Sequence, residues 1–362
     1  MGLKLGITYY TSMDRSLVRF YAGIKSEITR KTYESDLKRF LRFVKIKDAG
    51  GLLQLKDSYL QELVEDYTIF LKNKGLRYNS VNCAVSALET FFFMNDKILN
   101  FKKTRKMMPE KLKLLGGKAW ETDDIKRMLE STTSLRNRAI IHLVASTGCR
   151  KGAVIGLKIR NVSEMPDGCK AILFYEGSKE EYTGFLTPEA TKVLDLYLGE
   201  RKRDGELLKP DSPLFRNKYS LGIGKVKPIS YAGLKGMMGE IIGKIRGKGD
   251  GKRHEISSFH GFRKRFNTIL KNNKEINLAI GEKLMGHSSK LIPLDTIYHT
   301  PSKEILFEEF CKAIPDLVID SGERERAKRI KAEQKVDEMK EKQKEIDYMK
   351  EQIKGLYDLM KK

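Results

Sequence analysis

Apolar residues recur every three or four positions through the first hundred residues of the chain, and this spacing predicts amphipathic α-helices. In residues 29–46, Tyr33 and Phe40 mark one apolar stripe, while lysines and arginines occupy the opposite face. Residues 59–74 and 80–95 carry the same kind of pattern and are separated by the turn-forming stretch KGLRYN. The chain is therefore predicted to begin with a small helical domain.

The periodicity stops in a stretch rich in Lys and Gly, PEKLKLLGGKAW (109–120), which is predicted to be a linker. Thr122 then stands before two aspartates, so we expect it to cap a helix whose first turn is acidic. The segment SLRNRAIIHLVAST (134–147) is apolar on most sides and predicts a buried helix, with His142 as a core residue. A second domain begins with these helices.

Residues 170–187 are rich in β-branched and aromatic residues on both sides of a Gly-Ser pair, which predicts two short strands joined by a turn. Elsewhere the second domain is predicted to be helical. The predicted fold class is mainly α with a small β-sheet. The predicted helices cover 230–246, 260–272, 276–286 and 303–313, and the predicted divisions are 1–113 (helical domain), 114–120 (linker), 121–315 (second domain) and 316–362 (tail).

The tail differs in character from the rest, since it has 13 basic and 12 acidic residues. Ile346, Met349 and Ile353 follow a helical spacing, but Lys335 and Lys342 fall in the same stripe and disfavour a long coiled coil. We expect a helical tail that contacts a protein partner, such as a neighbouring copy of the chain.

The chain has 362 residues, of which 70 are Lys or Arg and 48 are Asp or Glu, so its formal net charge is +22. Such a surface attracts polyanions, and nucleic acid is the expected partner. An anionic membrane would also attract it, but the sequence has no run of about 18 apolar residues and its start lacks the apolar core of a signal peptide. We therefore expect an intracellular, cytoplasmic protein with no membrane partner.

Four widely spaced cysteines form no CxxC pair, which argues against a zinc site or a disulfide framework. We expect reduced thiols, no metal and no cofactor. A third of the residues are charged, a bias typical of thermophile proteins and also of proteins that bind DNA.

Candidate chemistry begins in the stretch HGFRKRFNTIL, where His260 and Arg263 share one helix face and can converge on a phosphate. Taken alone, this pair is typical of a solvated basic helix. Three further residues change the interpretation because they follow a fixed order: Arg150 in TGCRKG, His287 in LMGHSS and Tyr298 in IYHTPS.

These ordered motifs resemble those of the tyrosine recombinases, the phage-type integrase family, over about residues 20–313. The resemblance implies an N-terminal helical core-binding (SAM-like) domain and a catalytic domain of the DNA breaking-rejoining fold. It also implies a role for each residue: Arg150 and Arg263 clamp the scissile phosphate, His260 and His287 are the two site histidines, Lys179 on the hairpin turn is the general acid, and Tyr298 is the nucleophile.

The activity implied by this resemblance is cleavage and rejoining of double-stranded DNA through a 3′-phosphotyrosyl intermediate, without metal or ATP. Protomers that are monomeric or dimeric when free would form a homo-tetramer on two synapsed sites. The composition and the extra tail favour an integrase of a mobile element, of archaeal origin, over a chromosome-dimer resolvase.

Two departures from the family pattern stand out. Ala153 occupies the position where the family usually has Glu, so another group must orient the arginine helix. Tyr298 lies eleven positions after His287, with Pro293 between them, and the sequence leaves cleavage in cis or in trans open. Two other functions remain as alternatives: a DNA-relaxing enzyme like the type IB topoisomerases, and an architectural DNA-binding protein without catalysis.

Overall fold

The computed structural model describes residues 14–111, 117–217, 226–246, 256–287 and 300–360. By its internal contacts the chain divides into two units, Met1–Leu115 and Gly116–Lys362. This division falls within the segment for which the sequence predicts a linker. Each unit contains its own hydrophobic core.

The first unit is helical throughout its described part. The patterns predicted around 29–46, 59–74 and 80–95 each form a helix, so the helical prediction is confirmed here. The helices are α1 (Arg15–Ala22), α2 (Glu27–Val44), α3 (Ala49–Leu53), α4 (Asp57–Asn73), α5 (Tyr78–Met94) and α6 (Phe101–Lys106).

Aromatic side chains fill the core of the first unit. Phe40 lies between α4 and α5, with its ring centroid 5.2 Å from Tyr67 and 6.4 Å from Phe92 in edge-on arrangements. Such edge contacts between rings add to the stabilisation from buried apolar area. The outer face of α2 keeps its basic residues exposed, among them Arg39 and Arg42.

The second unit combines helices with one small antiparallel sheet of order β1-β2-β3. Its elements are α7 (Thr122–Glu130), α8 (Leu135–Thr147), α9 (Lys151–Ile155), β1 (Val162–Glu164), β2 (Lys170–Phe174), β3 (Tyr182–Leu186), α10 (Pro188–Arg203), α11 (Tyr231–Arg246), α12 (Ser258–Asn272), α13 (Leu278–Leu284), α14 (Lys303–Cys311), α15 (Ile314–Leu317) and α16 (Ser321–Met360).

Helix α8 runs through the centre of this unit, and every residue from Ala139 to Thr147 is buried. A helix that is apolar on most sides must pack on most sides, and α8 contacts α10, α12 and β3. His142 is buried as predicted, and burial lowers its pKa to about 4. The helix ends at Gly148, whose φ of +57° is the left-handed conformation that glycine adopts without strain.

Three features of the second unit differ from the sequence interpretation. Thr122 is the first residue of α7 rather than its cap: the Asp124 carboxylate accepts the backbone N–H of Glu121 at 3.2 Å. Helix α10 was not predicted, although Thr187 caps it and Pro188 begins it. The sheet also has a third strand, β1, which is too short to show an alternating pattern.

The hairpin of β2 and β3 presents the turn predicted around the Gly-Ser pair. Phe174 pairs with Tyr182 at the last position of the ladder. Tyr175 then has a φ of +55° and Gly177 a φ of +73°, which turn the chain within a few residues. Lys179 lies in this turn and is exposed.

The predicted helical tail forms one helix, α16, of 40 residues. Its N-terminal part is attached to the rest of the second unit, because Lys331 and Lys335 both pair with Glu275. Within the described parts of the chain, no helix is long and apolar enough to cross a membrane.

Candidate active site

Two helix ends meet where the arginines of the motifs converge. Helix α8 ends at Gly148, and α13 ends at Met285 followed by Gly286, whose φ is +59°. Carbonyl groups at the end of a helix have no partner within it and carry a partial negative charge. Both ends therefore offer acceptors to cationic side chains.

Arg263 is buried in the middle of α12 and uses both helix ends. Its Nη1 donates to the Gly148 carbonyl at 2.9 Å, and its Nη2 donates to the Met285 carbonyl at 2.7 Å. Arg263 can reach the Gly148 carbonyl because α12 packs closely on the end of α8. The closeness is shown by Gly148, where an added Cβ would lie 2.7 Å from Phe266 of α12. The guanidinium is thus fixed from two sides.

Arg150 is the residue immediately before α9 and lies directly after the end of α8. Its Nη1 donates to the Gly286 carbonyl at 3.2 Å. Burial lowers the pKa of Arg263, and the positive charge of Arg150 lowers it further, which means that the two cations lie within electrostatic range of each other. An anion bound between them would relieve this repulsion.

Ala153 leaves no carboxylate at the family's usual Glu position, and it is buried in α9. The orienting hydrogen bonds come instead from backbone carbonyls, those of Gly148, Met285 and Gly286. These acceptors do not titrate. The arginines are therefore held by groups whose charge is independent of pH.

His260 lies in the first turn of α12 on its exposed side. Trp120 fixes this turn: its indole N–H donates to the Ser258 carbonyl at 2.7 Å, and its ring lies where a Cβ on Gly261 would be. Partial burial lowers the pKa of His260, and the nearby Arg263, Lys264 and Arg150 lower it further. A neutral imidazole beside two arginines is suited to accept a proton.

His287 follows Gly286 directly, so the turn that holds both arginines also holds this ring. Its Nδ1 lies 2.6 Å from Oε2 of Glu282. The structure thus brings Arg150, Arg263, His260 and His287 to one region around the ends of α8 and α13.

The two remaining predicted site residues are not brought to this cluster by any described contact. Lys179 makes no hydrogen bond or ion pair within the described ranges, consistent with its place at an exposed turn. Tyr298, with His299, lies outside the described residues.

Two residues close to Arg263, Tyr182 and Cys149, were not predicted to belong to the site. Tyr182 stacks on Phe174 at 4.9 Å between ring centroids and lies against Gly286, where an added Cβ would be 2.5 Å from its ring. Burial raises the pKa of Tyr182 and raises the pKa of Cys149 to about 11, so both stay protonated. No local sequence signal distinguishes Tyr182, because its role depends on a contact across about a hundred positions.

The motif order, the fold and this cluster define the class of protein. A family model described as the phage integrase family matches residues 119–303, just over half of the chain. The chain belongs to this family, the tyrosine recombinases, and is a site-specific recombinase. The resemblance seen in the motifs is thereby confirmed.

Individual relatives agree with this assignment. The tyrosine recombinase XerC of Staphylococcus carnosus (strain TM300) is 25% identical over 271 residues, covering 72% of this chain and 83% of that protein. XerC of Staphylococcus aureus (strain JH9) is 25% identical over 270 residues, with the same coverage.

Solved structures share the fold. XerH bound to its difH substrate in a pre-cleavage complex aligns with a TM-score of 0.51 and 22% identity, covering 72% of this chain and 74% of that one. The Tn1549 transposon integrase in complex with a circular intermediate DNA aligns with a TM-score of 0.54 and 15% identity, covering 81% and 98%. The predicted fold class, mainly α with a small β-sheet, is confirmed.

Proposed function

We propose that this chain cleaves and rejoins duplex DNA through a 3′-phosphotyrosyl intermediate, with Tyr298 as nucleophile. The observation that carries the proposal is the pair Arg150 and Arg263, which is held by helix-end carbonyls and has His260 and His287 beside it. Arginines placed on both non-bridging oxygens of a phosphodiester stabilise the charge that develops there without a metal.

The proposed cleavage is an in-line displacement at the scissile phosphate. The phenol oxygen of Tyr298 bonds to phosphorus, and its proton passes to the neutral imidazole of His260. The bond from phosphorus to the 5′ oxygen breaks, and Lys179 on the hairpin turn protonates that oxygen. A 5′ hydroxyl of a second strand then attacks phosphorus and gives its proton to Lys179, while the bond from phosphorus to the Tyr298 oxygen breaks and that oxygen takes its proton back from His260. The phosphodiester is restored, so no ATP is consumed.

The role of Lys179 has a specific test. A 5′-bridging phosphorothiolate substrate releases a thiolate, which leaves without needing a proton. We expect Lys179→Ala to slow cleavage of ordinary DNA by about a hundredfold or more, as for loss of a general acid, and to leave cleavage of the phosphorothiolate near the wild-type rate. Equal losses on both substrates would show that Lys179 is not the acid.

The DNA partner is proposed to contact both units. Residues 1–113 would serve as the core-binding domain, 114–120 as the linker and 121–315 as the catalytic domain. Almost all of the net charge of +22 lies outside the tail, and the exposed basic face of α2 offers phosphate contacts. The solved XerH and Tn1549 integrase structures are complexes with DNA, which supports the same partner here.

The proposed biological setting is integration or excision of a mobile element, by an intracellular, nucleoid-associated protein of an archaeal and thermophilic source. Four protomers would act on two synapsed sites. The comparison with a transposon integrase supports the mobile-element setting.

The tail is proposed to contact a neighbouring protomer. Ile346, Met349 and Ile353 are 43%, 52% and 56% exposed on α16, beyond the turns that pair with Glu275. Deleting residues 336–362 keeps those ion pairs and removes the exposed stripe. We expect the deletion to preserve binding to a single DNA site and to reduce the four-protomer complex; unchanged assembly in light scattering would contradict this role.

Recombination and simple relaxation of supercoils are separated by a plasmid assay. A recombinase should exchange strands only between two copies of its site, whereas a topoisomerase of type IB would relax a plasmid that carries none. We expect plasmids with two sites to yield deletion or inversion products and plasmids with one site to remain unchanged. Efficient relaxation of plasmids without a site would favour the topoisomerase.

A further inference from the structure

His287 lies in the turn that follows α13, and the backbone hydrogen bonds of this turn determine which side chain contacts the His287 ring. After α13, the N–H of His287 donates to the Glu282 carbonyl at 3.1 Å, and the N–H of Gly286 donates to the Lys283 carbonyl at 2.8 Å. With Gly286 in the left-handed conformation, these bonds form a Schellman motif. This motif brings together the side chains of its first and last residues, which are usually both apolar.

In this chain the two residues are Glu282 and His287, so the usual apolar contact is replaced by a carboxylate and an imidazole. Oε2 of Glu282 lies 2.6 Å from Nδ1 of His287, and Oε1 lies 2.8 Å from Nζ of Lys271. Burial favours the neutral carboxyl, but the bonds from Lys271 and His287 outweigh it and lower the pKa of Glu282. Glu282 is therefore an anion at neutral pH.

An ionised carboxylate only accepts hydrogen bonds, which settles the roles of the two atoms. Nδ1 of His287 carries the proton and donates it to Glu282. Nε2 lies on the other side of the ring from Glu282 and has no hydrogen-bond partner among the described residues, so it is the nitrogen that can face a ligand. The same turn fixes the arginines, through the Met285 carbonyl on Arg263 and the Gly286 carbonyl on Arg150.

We propose that Glu282 is a positioning residue of the recombination reaction, which fixes His287 so that Nε2 faces the phosphate held by Arg150 and Arg263. The inference rests on the proposed role of His287 in that site. With DNA bound, the ring has an acceptor on each side, the carboxylate and a phosphate oxygen, and a doubly protonated imidazole satisfies both. Glu282 neutralises the charge of this imidazolium without touching the DNA.

The chain offers a matched control in Glu309. Its side chain is 14% exposed, against 16% for Glu282, and it pairs with Lys312 at 2.7 Å. It also accepts the backbone N–H of Asn277 at 2.8 Å, so it likewise serves two partners, but neither is a site residue. Glu309→Gln thus repeats the chemical change with a similar structural cost.

The first test is single-turnover cleavage of phosphorothiolate duplexes taken from the DNA that flanks the coding sequence. We expect Glu282→Gln to lower the cleavage rate about 10- to 100-fold, the size expected for a hydrogen bond to a charged group, with DNA affinity unchanged. Glu309→Gln should stay within about twofold of wild type. In a His287→Ala background, Glu282→Gln should have no further effect, because Glu282 acts through that ring.

The second test needs no DNA. Histidine labelled with ¹⁵N gives signals from only five side chains, and a His287→Gln sample identifies the one of interest. The wild-type ring should show a protonated Nδ1, and Glu282→Gln should change its tautomer or its proton shift. A ring protonated only at Nε2 overturns the proposal. So does a Glu282→Gln protein that cleaves DNA at the wild-type rate. The proposal also fails if Glu282→Gln lowers the cleavage rate as much in the His287→Ala background as it does in the wild-type protein.

These two tests separate failure of the proposal from failure of the proposed function. If wild-type protein cleaves no duplex, the function is in doubt, while the NMR result still decides whether Glu282 orients His287. If wild-type protein cleaves and His287→Ala is impaired, the cleavage data decide the role of Glu282 directly.

Discussion

Replacing Gly286 by Ala perturbs the turn on which both arginines depend. The residue has a φ of +59°, and a Cβ built there would lie 2.5 Å from the ring of Tyr182. That ring has little freedom to withdraw, because it stacks on the fully buried Phe174. The substitution therefore combines backbone strain with a clash against a fixed aromatic ring.

The magnitude follows from these two contributions. The left-handed conformation costs a residue with a Cβ about 1–2 kcal/mol, and overpacking a well-filled site costs about 1–3 kcal/mol. Gly286→Ala should then lower the free energy of unfolding of the second unit by about 2–5 kcal/mol. Gly205→Ala is the control, since Gly205 has a φ of +80° and nothing within 4 Å of an added Cβ.

The assay is urea denaturation followed by tryptophan fluorescence. Trp120 is the single tryptophan of the chain and is buried in the second unit, so its emission reports unfolding of that unit alone. Gly205→Ala should lose only the strain contribution of about 1–2 kcal/mol. Equal losses in the two variants would refute the reasoning, because they would mean that Tyr182 does not constrain the turn.

Three further predictions concern charge. Glu206→Gln should lower the free energy of unfolding by about 3–5 kcal/mol, because the fully buried Arg201 then loses the carboxylate with which it pairs; a loss below about 1 kcal/mol, as expected for exposed pairs, would contradict this. His142 has a pKa lowered to about 4 by burial, so its contribution to stability is present above pH 6.5 and is lost as pH falls toward 4. When the pH is lowered from 7 to 5, the free energy of unfolding of His142→Leu, measured in the Trp120 assay, should therefore fall by about 2 kcal/mol less than that of the wild-type protein. An equal fall in the two proteins would contradict burial of a neutral ring. DNA affinity measured by fluorescence anisotropy should fall at least about a hundredfold from 50 to 200 mM salt, as expected when several phosphates are contacted; a change of less than about threefold would argue against a basic DNA-binding surface.

Sequence reasoning succeeded where a feature depends on local spacing. The stripes of α2, α4 and α5 follow from a helical period, and the uniformly apolar pattern of α8 follows from burial on most sides. The motif residues Arg150, His260, Arg263 and His287 could be chosen from their order along the chain, and the fold brings them to one region.

It failed where a feature depends on contacts between residues distant in the chain. Tyr182 in β3 contacts Gly286 at the end of α13, and neither local sequence contains a pattern that predicts this contact. The orienting carbonyls that stand in for the missing carboxylate at Ala153 belong to the backbone, so no residue type reveals them. Helix α10 does have a local signal at its start, the capping residue Thr187 followed by Pro188.

The most direct test of the central claim is covalent trapping on phosphorothiolate duplexes that carry candidate sites. Wild-type protein and the control Tyr231→Phe, which removes an exposed tyrosine, should each give a DNA-linked band on a denaturing gel. Tyr298→Phe should bind the same duplexes and give no band. A band that persists in Tyr298→Phe, or none from wild-type protein on duplexes that it binds tightly, would contradict phosphotyrosyl chemistry at Tyr298.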